Sequence, residues 1–273
     1  MSFTGHLEHF LVYYPFNREF TTHPAIEDVE FPTTDSLTLH GWFIPARNRP
    51  EDAGPAPTIL HTHGNAGAIP EHVEFVQWLT AEGYNVFLFD YRDYGRSDNS
   101  PRLRNRNDFI ADANAALDML LDRGDVDPDR IALLGFSLGS TMGGVMASQR
   151  DEIAAVVLCA GFSSWKGVAG DYVPLLGPLL LRGGSDLKDA VTNYGDRPLL
   201  IAHGDADGIV KYRHAAIIEQ AAKDAGVAVE LYTEPGSDHN TLLLREGVRA
   251  EILRFLDREL SGPPPTQVTD PAR

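Results

Sequence analysis

Three residues of this chain could together turn a hydroxyl into a nucleophile: Ser137, Asp207 and His239. A serine hydroxyl is a poor nucleophile by itself. It needs a base to take its proton, a group to orient that base, and donors to hold the oxyanion that forms. Ser137 lies in Gly135-Phe136-Ser137-Leu138-Gly139, a G-x-S-x-G pentapeptide. The apolar run Ile131 to Leu134 precedes it, and the small residues Ser140 to Ala147 follow. Strand, sharp turn and helix form the context in which this motif exposes a serine at the carboxyl edge of a sheet. The glycines remove side chains that would collide where strand and helix cross. The pentapeptide alone also fits an ordinary turn, so its partners decide its meaning.

In enzymes built on such a turn the partners follow in the order serine, acid, histidine. The acid leaves the end of a late strand, here Leu199 to His203, followed by Gly204-Asp205-Ala206-Asp207-Gly208-Ile209-Val210. Asp207 is preferred, because the H-G-x-x-D-x-x-V spacing places it in the loop. Asp205 sits at the turn, where aspartate commonly bonds its own backbone. His203 reads as a structural histidine at the strand end. The base comes from the loop after the last strand, Glu234-Pro235-Gly236-Ser237-Asp238-His239-Asn240, whose one histidine is His239. Asp238 reads as a turn or helix-start residue.

The oxyanion donors are expected to be the backbone N–H of Leu138 and one from the loop His61-Thr62-His63-Gly64-Asn65-Ala66-Gly67, with Asn65 favoured. His61 and His63 lack a third ligand at a recognisable spacing, so no metal is expected. His63 is expected to hold the loop by hydrogen bonds. The chemistry calls for no cofactor.

These residues need a scaffold, and 273 residues suffice for one α/β domain with a sizeable core. Strands are predicted over Ile26 to Phe31, Leu37 to Pro45, Thr58 to His61, Asn85 to Asp90, Arg130 to Leu134, Ala154 to Cys159, Pro198 to His203 and Ala228 to Thr233. The second alternates as an antiparallel edge strand does. Helices are predicted over Glu71 to Glu82, Asp108 to Arg123, the stretch after Ser137, Tyr212 to Ala225 and Leu242 to Leu260. Short apolar strands alternating with helices imply a doubly wound, mostly parallel sheet covered on both faces. Residues 1–260 read as one domain and 261–273, rich in proline, as a disordered tail.

The stretch from Gly161 to Asp196 is too long for a simple connection. It reads as a cap insertion over the carboxyl edge of the sheet. Trp165, Tyr172 and Leu176 are candidates for lining an apolar substrate pocket there. The plainer alternative is a connector that only packs down on the domain.

The formal net charge is −16, which disfavours nucleic acid and anionic lipid headgroups. Cys159, the single cysteine, lies in an apolar run and reads as a buried strand residue. With no disulfide possible within the chain, a reducing, cytoplasmic setting is expected. The apolar stretch Phe10 to Tyr14 follows Glu8 and His9 and is too short to span a bilayer, so neither a signal peptide nor a spanning segment is expected.

Taken together, His63-Gly64-Asn65-Ala66-Gly67, Phe89-Asp90-Tyr91-Arg92-Asp93-Tyr94-Gly95-Arg96-Ser97, the pentapeptide, His203-Gly204-Asp205-Ala206-Asp207 and Gly236-Ser237-Asp238-His239-Asn240 resemble an α/β-hydrolase. They are most similar to the bud-emergence-like group of serine hydrolases, over roughly residues 25–260. Asp93 stands where that group usually has glycine, so a slightly different turn is expected there. The resemblance implies acyl transfer through Ser137. The small-molecule substrate would be a carboxylic ester, or next a thioester, with a small to medium acyl chain. The same residues also serve peptidases and acyltransferases. A non-catalytic binding protein of this fold would be expected to have lost one of the three.

Overall fold

The computed structural model describes residues 13–15, 20–23, 25–50, 54–181 and 183–260. The tail at 261–273, the start of the Phe10 to Tyr14 stretch and residues 51–53 of the early loop lie outside them. The described strands are β1 (Glu27–Pro32), β2 (Thr38–Ile44), β3 (Ala56–Thr62), β4 (Asn85–Phe89), β5 (Val126–Phe136), β6 (Ile153–Cys159), β7 (Leu199–Gly204) and β8 (Val229–Glu234). They form one sheet in the order β1-β2-β4-β3-β5-β6-β7-β8. β1 and β2 are antiparallel to their neighbours, and all strands from β4 to β8 run parallel. The edge position falls to β1, which pairs along β2 and leaves β2 buried on both faces despite its alternating sequence.

The central strands are apolar on both faces because both are covered. Along β5, Ile131 and Leu133 enter one core, while Ala132, Leu134 and Phe136 enter the other. β6 divides in the same way, Val156 and Leu158 against Val157 and Cys159. The helices are α1 (Ile69–His72), α2 (Arg106–Leu121), α3 (Leu138–Ala147), α4 (Trp165–Tyr172), α5 (Gly177–Leu180), α6 (Leu187–Ala190), α7 (Arg213–Asp224) and α8 (Glu246–Glu259). Phe109 and Leu117 of α2, Met142 of α3 and Ile218 of α7 fill the first core; Ile252 and Phe255 of α8 fill the second. Asn105 starts α2 by accepting from the Asn107 N–H, and Asp108 bonds back to the Asn105 N–H at 2.8 Å.

One predicted helix is broken. Residues 71–82 form the end of α1 and two 3₁₀ turns, Val73–Phe75 and Gln77–Thr80. The Trp78 indole N–H and the Thr80 hydroxyl donate to the Phe75 and Gln77 carbonyls. Such side-chain competition for backbone acceptors, with β-branched Val73 and Val76, favours short turns over a continuous helix.

The Phe89 to Ser97 motif ties β4 to its surroundings. The buried Asp90 carboxylate accepts the Ile69 N–H at 2.9 Å. A Cβ on Gly95 (φ 48°) would lie 1.9 Å from Asp90 Oδ2, so only glycine fits there. Buried Arg92 grips Asp112 of α2 at 2.6 Å and Asp35 at 2.8 Å. Asp93 adopts φ 68°, the conformation for which glycine is usual. Its carboxylate secures the turn by accepting the Ser100 N–H at 2.8 Å and pairing with Arg104 at 2.6 Å.

Strands β3 and β5 are neighbours, but the chain leaves β3 for β4 on one side and β5 for β6 on the other. Such a reversal opens a crevice at the carboxyl ends of the strands. The loop after β3 and the turn after β5 flank it.

Candidate active site

Ser137 occupies the one-residue turn between β5 and α3, with φ 55° and ψ −117°. That backbone is rare for any residue but glycine, and packing enforces it. The Ser137 N–H and the Ser140 hydroxyl both donate to the Cys159 carbonyl, at 2.8 and 2.7 Å. A Cβ on Gly135 would lie 2.5 Å from Ser140 Cα, and one on Gly139 would lie 2.0 Å from the Thr62 carbonyl. Both glycines are therefore required by the crossing. Cys159 itself is buried beneath the turn, and burial pushes its thiol up to about 12.

His239 Nε2 lies 2.9 Å from Ser137 Oγ, and His239 Nδ1 lies 2.7 Å from Asp207 Oδ2. An ionised carboxylate only accepts, so Nδ1 carries the proton and Nε2 presents its lone pair to the serine hydroxyl. Burial opposes the Asp207 charge. Bonds from His203, His239 and the Val210 N–H outweigh it and hold the carboxyl below the usual range. His203 Nε2 donates to the Val210 carbonyl at 2.8 Å and lies 3.3 Å from Asp207 Oδ2. Asp205 bonds the neighbouring loop instead of its own backbone, accepting the Gly236 N–H at 2.6 Å. That contact ties the loop of Asp207 to the loop of His239. Asp238 accepts the Thr241 N–H at 2.9 Å, making the expected turn.

The loop after β3 is braced by histidines. His63 Nδ1 donates to the Gly64 carbonyl at 2.7 Å and His72 Nε2 to the Ala66 carbonyl at 2.7 Å. The two rings stack with centroids 4.7 Å apart. Burial keeps His61, His63 and His72 neutral, taking His61 down to about 3. Asn65 Oδ1 accepts from the Tyr14 N–H at 3.1 Å and the Tyr94 hydroxyl at 3.0 Å. Pro15 bridges to Gly67, and Tyr13 packs on Phe109 at 4.6 Å, so residues 13–15 strap this loop to the core.

Ser137, Leu138 and Asn65 open into one cavity of about 470 Å³. Trp165 and Tyr172 line it, together with Phe162, Val168, Val173 and Leu181. Among the described residues, no charged one does. Leu176 is not part of the lining: it precedes α5 and points outward, 60% exposed. Three further hydrogen bonds dock residues 161–196 on the sheet and helices. The Tyr172 hydroxyl donates to the Ile209 carbonyl at 2.9 Å, and His214 of α7 bridges Ser163 (2.8 Å) and Asp171 (3.0 Å).

Sequence spacing could not reveal the supporting groups. His72 and Tyr14 lie in no motif, and although His203 and Asp205 stand in the H-G-x-x-D stretch, their bonds to the Val210 carbonyl and the Gly236 N–H are not written in its spacing. Among the described residues no group of three metal-ligating side chains is present, and no helix is long and apolar enough to cross a membrane.

Comparison with known proteins gives a consistent result. The prolyl oligopeptidase family matches residues 73–262. The uncharacterized protein YfhR of Escherichia coli K12 is 34% identical over 215 residues, covering 78% of this chain and 74% of its own. Protein bem46 of Schizosaccharomyces pombe is 26% identical over 84% of this chain and 76% of its own. Among solved structures, the Pyrococcus furiosus esterase Pf2001 superposes with a TM-score of 0.74 at 22% identity, covering 91% of this chain and 98% of that one.

Proposed function

This chain belongs to the prolyl oligopeptidase family, as a serine hydrolase of the α/β-hydrolase fold in the bem46-like group, and from that premise we propose that it hydrolyses carboxylic esters with small to medium acyl chains. The observation that carries the choice of ester is the cavity beside Ser137. It is apolar, bears no charged side chain among the described residues, and has a volume within the range of small-molecule sites. A peptide substrate brings many backbone donors and acceptors that need partners. Among the described residues the polar side chains lining this cavity are Asn65, Ser137, the tyrosines Tyr14 and Tyr172, and Trp165, whose indole N–H already donates to the Ser185 carbonyl. Thioesters fit the same cavity and are the second substrate class.

In this reading residues 1–260 work as one unit, with 161–196 as the cap and Trp165 and Tyr172 in the acyl pocket. His239 Nε2 takes the Ser137 hydroxyl proton as Oγ attacks the acyl carbonyl carbon. Asp207 holds the imidazole in the right tautomer and stabilises the imidazolium. The N–H groups of Leu138 and Asn65 stabilise the tetrahedral oxyanion. Collapse breaks the C–O bond to the leaving alcohol, which takes the proton from His239. Water, deprotonated by His239, then attacks the acyl-enzyme and releases the acid and Ser137.

A fluorophosphonate probe and a panel of esters graded from acetyl to dodecanoyl test this reading. Labelling that disappears in Ser137→Ala, with a maximum at intermediate chain length, is the expected outcome. Labelling that survives Ser137→Ala sinks the site assignment. Turnover of peptides without turnover of any ester sinks the substrate class.

A further inference from the structure

The exposed apolar surface of this protein is concentrated in one place. Nine large hydrophobic side chains are exposed among the described residues, and seven of them surround the Ser137 cavity. Tyr14, Tyr172, Val173 and Ile209 line its mouth. Leu175, Leu176 and Leu179 stand on the adjoining tip of the cap without lining the cavity, exposed by 90, 60 and 73%. Residues 172–181 are uncharged throughout, in a chain of net charge −16. Leu175 is held at φ 70°, with the Leu176 N–H donating to the Pro174 carbonyl across it. Leucine rarely adopts that backbone, and here it presents the side chain to solvent.

We infer that this tip docks on a zwitterionic phospholipid surface, which delivers acyl chains directly into the cavity. Apolar side chains next to water are stabilised when they enter the headgroup boundary of a lipid layer. Residues 172–181 of the tip carry no cation for an anionic headgroup, and the overall negative charge repels anionic membranes, so a layer without net charge is the matching partner. A second copy of the chain could also cover the leucines. It would close the mouth, because the same patch includes the cavity rim formed by Tyr172 and Val173. A lipid surface leaves the mouth facing its substrate.

The inference rests on the ester reading of Ser137 for its purpose, and its test is a binding measurement that needs no turnover. Full-length Ser137→Ala protein is sedimented with phosphatidylcholine vesicles, with and without the added changes Leu175→Ser, Leu176→Ser and Leu179→Ser. The three serines are expected to weaken partitioning by at least about tenfold, since each removes apolar surface from the boundary. In the Ser137 background they are expected to leave hydrolysis of a water-soluble short-chain ester unchanged. Equal partitioning with and without the leucines overturns the inference. So does a parent that binds no vesicles but forms a dimer dissolved by the three changes. Vesicle binding together with failure to hydrolyse any ester would remove the ester reading and leave the docking surface standing.

Discussion

His203 Nε2 lies 3.3 Å from the same Asp207 oxygen that His239 engages at 2.7 Å. Asp207 is thus held from two sides, by His239 and by a histidine at the end of its own strand. His203→Leu is expected to lower kcat about tenfold to a hundredfold with little change in KM, the worth of one hydrogen bond to a charged group. His203→Gln, which keeps an N–H at that side, is expected to recover much of the loss. Equal, wild-type turnover in both variants would show that Asp207 needs no second support.

Ser137→Gly separates stability from chemistry. The position has φ 55°, which glycine adopts freely and serine only at a cost of roughly 1–2 kcal/mol. Fluorophosphonate labelling is expected to vanish while Tm stays level or rises. A fall in Tm of several degrees would mean that the hydroxyl, and not the backbone, stabilises the turn.

Gly139→Ala places a carbon 2.0 Å from the Thr62 carbonyl and 2.5 Å from the His63 carbonyl. Both are backbone atoms that cannot step aside, so a loss of about 3 kcal/mol is expected, at the upper end for overpacking. Gly124→Ala meets nothing within 4 Å and serves as the control. Urea denaturation of the two variants distinguishes this from a general intolerance of alanine.

Stability is expected to fall on mild acidification. His61, His63, His72 and His214 all lie below 6.5 because burial disfavours their charged forms. Their unfolded counterparts take up protons near 6.5, so the unfolded state binds more protons below that value. The contribution is complete above pH 6.5 and is lost as pH falls toward the folded values, about 3 for His61. Each such group adds up to ~1.4 kcal/mol per pH unit to the slope. The unfolding free energy measured between about pH 5 and 6 should show a net uptake of more than one proton, the Asp112 carboxyl, raised by burial to about 6, subtracting from the histidines. Less than one would mean that these rings are solvated in the folded state.

Val168→Trp fills part of the cavity beside Trp165. Each methylene denied burial costs the substrate about 0.8 kcal/mol. The ratio of kcat/KM for octanoyl over acetyl ester is therefore expected to drop at least about tenfold. An unchanged ratio would place the acyl chain elsewhere.

The sheet and the Ser137–Asp207–His239 geometry were legible in the sequence for a physical reason. Buried parallel strands are short continuous apolar runs, and the loops that follow them carry the motif residues at the carboxyl edge. The helix expected over 71–82 misled because hydrophobic spacing does not report competition from Trp78 and Thr80 for backbone carbonyls. Leu176 misled because the composition of the cap names its apolar residues without saying which face they take. Val168 and Leu181 line the cavity in its place. The groups that brace the Asn65 loop, His72 on the Ala66 carbonyl and the Tyr14 N–H on Asn65, stand outside the motifs, and the role of His203 beside Asp207 depends on a loop turn that composition does not show.

Tyr13, Tyr14 and Pro15 reach the Asn65 loop from far upstream in sequence. Tyr14 is at once a wall of the cavity and an anchor of that loop, while Ser137, Asp207 and His239 all fall much later in the chain. On the proposed reading, a change of the Tyr14 side chain alters a wall of the cavity from a position far from Ser137, Asp207 and His239 along the chain, and its backbone N–H keeps hold of Asn65.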